Sequence, residues 1–448
     1  MPRIPLLADS RIVVAEVGDD DVVLRPPPAR EALGDIPAAV TSALRFPLAG
    51  EPLQRLVTNG GSATVVIEQP SLPIPAAMLG PRHVAVAAVA DELERLGVAK
   101  VTILVAGGLL RRTSPREIGL LVTPEFRRRF KGRVIVHDAE ADDLVELGRT
   151  GNVSLRVNPA LVETDLVVTV TAAESVLHGG PAALLAATGR ESLRAAGALS
   201  LLETSASQGW RLAVEVERLL MGRVRQRILD RLPRELTAAA AYGGTPSVAH
   251  AEALLRGTVF RGAELADPVD ALVIGIPSTT PFMPRERPNP ISAAYLGLGL
   301  ALRMWRNLPP ITAGGTAILV HPFLRRFARP TQVPYRVLFY DQRSARDIGA
   351  MRDAERAAVE DSHAIDDYRA GRACHPLQPF VEWSACDATT HRLGAVLIAG
   401  CRDATAARQL GFVPTHSLGA ALDIARGSGA QRIGYLLAPP YFPLVVSG

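Results

Sequence analysis

Lysine is almost missing from this chain: Lys100 and Lys131 are the only two in 448 residues. No lysine follows Lys131, so covalent attachment through a lysine amine is excluded from the rest of the sequence. Cysteine is scarce too. Cys374, Cys386 and Cys401 give no disulfide framework. The basic residues fall in short groups, Arg111-Arg112, Arg127-Arg128-Arg129 and Arg325-Arg326. No long basic stripe interleaved with aromatics is present, which argues against a nucleic-acid partner. No stretch of about 18 apolar residues is free of charge and turn signals, so no membrane span is expected. The opening MPRIPLLADSRIVVAEVGDD lacks the apolar core and small-residue cleavage site of a signal peptide. The expected compartment is a reducing cytoplasm. Internal repeats and low-complexity segments are also absent.

The composition is globular, with 48% apolar and 21% charged residues and a net charge of +4. The length calls for two domains. Ser62–Glu68 and Lys100–Ala106 read as buried strands, the second apolar on both faces as a covered parallel strand requires. A helix is predicted over 81–96 between them. Ser114-Pro115-Arg116-Glu117 has the form of a capping box, opening a helix expected to reach about residue 130. Strands follow at Arg133–Val136 and 165–171. Residues 181–255 read as mostly helical and 259–268 as a linker. A second α/β pattern places strands at 271–276, 316–321, 336–340, 394–399 and 432–437. Helices are expected at 291–305, 345–360, 404–410 and 418–425. The predicted fold class is therefore α/β, with two domains each built on a mostly parallel sheet flanked by helices. They span residues 1–262 and 268–448, with the ligand cleft between them.

Ligands of parallel α/β domains sit beyond the carboxyl ends of the strands, which directs attention to the loops 68–75, 107–113, 137–143, 172–183 and 277–290. Gly107 and Gly108 end a strand ahead of Arg111, a planar fork suited to phosphate or carboxylate; the turn is a candidate anion or cofactor site. His178 is a candidate acid/base or metal ligand, or a loop histidine bonded to backbone, and Gly179 and Gly180 after it are candidate cofactor-binding residues. His137-Asp138 more simply caps the turn after its strand. Arg285 and Arg287 lie in a Pro-rich loop and are candidate substrate cations or solvated side chains. The spacings of His363, Cys374, His375, Cys386, His391 and Cys401 fit no zinc or cluster pattern.

The segment HDAEADDLVELGRTGNVSLRVNPALVETDLVVTVT, residues 137–171, resembles the nickel-dependent lactate racemases, which carry a nickel-pincer nucleotide. AVTSALRFPLAGEPLQRLV, TGRESLR, ITAGGTAILVHPF, LGFVPTHSLGAALDIA and LLAPPYFPLVV match the family in the same order. The resemblance implies the 2-hydroxy-acid racemase and epimerase class, in which two histidines move protons on opposite faces of the substrate. Carried over residue by residue, it leaves gaps. The family's first-turn arginine falls at Leu72, the histidine of its Gly-Thr-His-Arg turn at Leu110, and a nickel-ligating histidine at about Gly197. Arg111 keeps that turn's arginine. The lysine that bears the pincer belongs between Gly180 and Ala183, where none stands. His178 lies near the family's other acid/base histidine. The implied cofactor is thus a nickel-pincer nucleotide held without a covalent bond, or no cofactor. The implied partner is a small hydroxy acid or a nucleotide. Three readings stay open: an isomerase with His178 as a lone base, a one-sided reaction on a larger hydroxy acid or polyol, and a non-catalytic ligand-binding protein.

Overall fold

The computed structural model describes residues 2–25, 33–69, 81–119, 121–172, 179–197, 208–221, 225–234, 237–278, 286–341, 348–437 and 440–447. Two six-stranded sheets organise the chain. Across the first, the strand order is Thr237–Gly244, Arg225–Arg234, Leu166–Ala172, Ser62–Glu68, Lys100–Ala106, Arg133–Val136. All neighbours are parallel except the antiparallel pair at 225–244. The second sheet is wholly parallel, in the order Val413–Thr415, Ala395–Ala399, Ile311–Val320, Val269–Gly275, Ile433–Leu436, Val22–Leu24.

Continuous apolar strands arise because each sheet is covered on both faces. Val65 and Ile67 enter one core while Val66 enters the other. In the second sheet Leu272 and Ile274 face one core and Val273 the opposite one. Helix Pro81–Arg95 covers one side of the first sheet, with Ala85, Val86, Val89 and Leu93 buried at helical spacing. The chain's opening belongs with the second sheet: Val22–Leu24 is its edge strand, and Leu6, Ala8 and Ala15 of the hairpin Arg3–Ala8/Arg11–Glu16, with Val17 just after it, join its core. This differs from an N-terminal block running unbroken over residues 1–262.

Other expectations are corrected. Residues 336–340 belong to helix Val333–Asp341, where Tyr335, Leu338 and Phe339 are buried on one helical face; a short apolar run does not by itself separate strand from helix. Within 181–255, Arg225–Arg234 and Thr237–Gly244 are strands, because pairing with Leu166–Ala172 outweighs the helix preference of their arginines and leucines. The capping-box helix ends at Ile118, and Thr123-Pro124 caps a second one, Pro124–Arg129. No free linker spans 259–268: helix Pro246–Arg261 runs into it and Ala263–Leu265 pairs with Leu444–Val446. The expected helix at 291–305 begins at Pro290 and passes into a buried π-helical segment, Tyr295–Leu300. Among the described residues no helix is long and apolar enough to cross a membrane.

Candidate functional site

Strand Lys100–Ala106 delivers its turn, Gly107 to Arg112, to the junction with the second domain. Gly107 accepts from the Leu110 amide at 3.0 Å, and Gly108 bends back with φ +56°, a conformation open to glycine. The amide of Gly108 donates to Ala186 at 3.0 Å, and its carbonyl accepts from the Tyr368 hydroxyl at 3.0 Å. That hydroxyl also accepts from the Ala139 amide at 3.1 Å. Leu109 and Leu110 are 4% and 6% exposed, and Leu109 and Ala139 join the core beside the second sheet.

Both arginines of the turn are engaged. The Arg111 guanidinium pairs with Glu117 and donates to the Gly371 carbonyl at 3.2 Å. Glu117 is the acid of the capping box, reaching the Ser114 amide at 2.9 Å. Burial raises its carboxyl, but Arg111 and Ser114 outweigh that and hold it below the ordinary range. Arg112 donates to the His137 and Val136 carbonyls at 3.1 Å each and to Arg369. Of the groups expected to contact an anion, the Gly108 amide is thus bonded to Ala186 and Arg111 to Glu117 within the first domain, and Arg111 also to Gly371 of the second.

Two buried histidines belong to the same seam. His137 shares a hydrogen bond of 2.8 Å with the Thr188 carbonyl, so Nε2 carries the proton and Nδ1 accepts from Asn158 at 3.3 Å. Burial brings its pKa down to about 4, which leaves it neutral, and the bond that caps the following turn is made by Asp138, which accepts from the Glu140 amide at 2.9 Å. His375 accepts at Nδ1 from the Leu377 amide and donates from Nε2 to Glu140 at 2.8 Å. Burial holds this imidazole below its usual range, and Arg190, 2.7 Å from Glu140, balances the carboxylate. Neither His375 nor Tyr368 carries a sequence signal for this place; only the folded chain brings residues 107–112, 137–140 and 368–375 together.

Gly180 opens helix Pro181–Leu185 with φ +53°; its amide donates to Thr171 Oγ1 at 3.1 Å, and a Cβ there would lie 2.5 Å from the His250 Cβ. Gly179 immediately precedes it, with φ +132°. Leu72, His178 and Arg285 lie outside the described residues. Arg287 stands apart from the turn: 62% exposed, it faces Asp9 at 3.4 Å and lines a cavity of about 410 Å³ on the second domain. Both lysines line another cavity, of about 560 Å³, at the amino ends of the first sheet's strands. Among the described residues no three His, Cys, Asp or Glu side chains are grouped to hold a metal ion.

Residues 12–179 match the model of the lactate racemase N-terminal domain. Over 99% of this chain and 100% of the other, the fold matches the lactate racemase apoprotein of Thermoanaerobacterium thermosaccharolyticum, with a TM-score of 0.69 at 16% identity. A protein from Thermotoga maritima matches over 92% of this chain and 97% of its own, with a TM-score of 0.55 at 12% identity. No curated protein matches the sequence. At such identities the structural likenesses speak for the fold, and the sequence match speaks for the relationship. Residues 12–179 are related in sequence to the lactate racemase N-terminal domain, and the whole chain shares the lactate racemase fold.

Proposed function

We propose that this protein retains the lactate racemase fold, and by resemblance the 2-hydroxy-acid racemase and epimerase class, without the lysine-tethered, two-histidine route to lactate racemisation. Leu110 carries the reading. It stands where the resemblance puts a proton-transferring histidine, it is buried, and its turn is held to the second domain through Gly108, Leu109 and Arg111. A leucine side chain moves no proton, so one face of the substrate has no acid/base.

A tethered nickel-pincer nucleotide does not fit the residues present. Lys100 begins the strand whose other end leads to Gly107, on the order of 20 Å away at the usual rise per residue. Lys131 lines the same amino-end cavity. Gly197, at the position of a nickel ligand, has no donor side chain. The expected result follows directly. Protein co-produced with the enzymes that make the pincer should have an intact mass equal to its polypeptide. A stable adduct on any residue of the 172–197 region would overturn the proposal.

A further inference from the structure

The second sheet ends in a cavity of about 410 Å³, within the size range of small-molecule sites. Val320 and Ala399, the last residues of neighbouring parallel strands, line it together with the loops that follow them. The hairpin turn at Asp9, Ser10 and Arg11 closes another side.

Its floor is unusual. Asp9 is a non-glycine residue at φ +53°, held by a 2.7 Å bond from its amide to the Ile276 carbonyl. One carboxylate oxygen faces Arg287, and the other, Oδ1, is buried with no hydrogen-bond partner among the described residues. Phe323 also has a positive φ, +52°, which brings its amide to His321 Nδ1 at 3.1 Å. With Nδ1 accepting, His321 Nε2 keeps its proton, and burial lowers the imidazole to about 3, so it stays a neutral donor. Strained non-glycine backbone of this kind gathers at functional sites.

The rim is cationic. Arg11, Arg326 and Arg402 line the cavity and have no carboxylate partner among the described residues; Arg287 and His416 stand beside them. Some exposed arginines elsewhere are paired, as Arg3 is with Glu16, Arg129 with Asp91 and Arg218 with Glu215, and others such as Arg133 and Arg306 stand singly among the described residues; what sets this group apart is that its members share one concavity. Asp403, the neighbour of Arg402, is taken by Arg325 at 2.6 Å. Four arginines around a concavity that holds a single carboxylate leave an excess of positive charge, complementary to an anion.

We propose that this cavity binds a phosphorylated polyhydroxy small molecule, of the size of a monosaccharide phosphate or a mononucleotide. Several guanidinium forks suit the oxygens of a phosphate dianion, whereas a monocarboxylate would occupy one of them. Asp9 Oδ1 requires a hydrogen-bond donor, which a sugar hydroxyl supplies and a bare phosphate dianion does not. The inference shares with the earlier candidate site only Arg287 and uses none of the Gly107–Arg112 turn, so lactate assays and phosphate titrations fail independently.

The test is calorimetric titration and thermal denaturation of the full chain at constant ionic strength set with chloride. The probes are glucose 6-phosphate, adenosine monophosphate, glucose and inorganic phosphate. One of the two phosphorylated compounds should bind at least about tenfold tighter than glucose and inorganic phosphate. Which of the two it is tells a sugar phosphate from a nucleotide. Replacing the exposed pair, Arg326→Ala with Arg402→Ala, should weaken that binding about a hundredfold. Asp9→Asn should shrink the preference over inorganic phosphate; if that variant does not fold, the arginine pair alone decides. No response to either phosphorylated compound at about 10 mM, or equal affinity in parent and double arginine variant, would overturn the proposal.

Discussion

The carboxyl ends of the two sheets have been put to opposite uses. At the first sheet, Arg111, Arg112, Gly108 and His137 all have protein partners, many of them from residues 368–375 of the second domain. At the second sheet, Arg11, Arg326 and Arg402 ring a cavity whose one carboxylate, Asp9, has an oxygen facing Arg287 and a buried oxygen without a donor among the described residues. The same residue type thus serves as an internal fastener in one place and as an open cation in the other. What differs is supply: the first site has Glu117, Glu140 and backbone carbonyls within reach, and the second has a single aspartate already facing Arg287.

If the first site is a fastener, damage there should appear as lost stability. Tyr368→Ala removes a fully buried ring and both bonds of its hydroxyl, and should cost about 3–5 kcal/mol in chemical denaturation. A loss below 1 kcal/mol would break the comparison. The next effect is a pH dependence. The folded-state pKa of His137 is lowered, so the unfolded chain binds a proton that the native one refuses. Stability should be unaffected by this group above its ordinary pKa and should fall as pH drops toward about 4, by up to about 3 kcal/mol. Denaturation of His137→Gln across that range should show a shallower slope than the parent.

Smaller changes sharpen the contrast. Tyr368→Phe keeps the ring and strands the Ala139 amide and Gly108 carbonyl, for about 1–3 kcal/mol. Arg111→Ala should cost about 1 kcal/mol and leave binding of phosphorylated compounds unchanged. Arg326→Ala should do the reverse, altering stability by less than about 0.5 kcal/mol while weakening that binding. A pair of results with the roles exchanged would mean that the two strand ends have been assigned the wrong way round.

Much of the frame was legible. Ser62–Glu68, Lys100–Ala106 and Arg133–Val136 are strands at the stated residues, because uninterrupted β-branched runs bounded by turns have few other uses. The capping box at Ser114 has both of its bonds. Local composition misled where tertiary pairing decides, as at 225–244, and where a short apolar run fits either period, as at 336–340. The site was harder. Arg111 looked like an anion ligand because its partners, Glu117 six residues on and Gly371 far along the chain, leave no pattern in sequence. The second cavity assembles Asp9, Arg287, His321, Arg326 and Arg402 from separate parts of the chain. Only Arg287, in the loop 277–290 that the strand-end rule singled out, was a candidate in the sequence.

The central claim is that the first-sheet turn no longer supports racemisation from both faces of a hydroxy acid. It is tested most directly by incubating the full chain with D-lactate, and separately with L-lactate, in the presence of nickel and free pincer nucleotide, and following the enantiomers by chiral chromatography. Loss of one general acid/base alone typically lowers a rate about a hundredfold to ten-thousandfold, and the missing lysine tether adds to that. The account predicts no interconversion above the protein-free control in either direction. Sustained racemisation of both enantiomers, surviving dilution of the free pincer nucleotide, would contradict it.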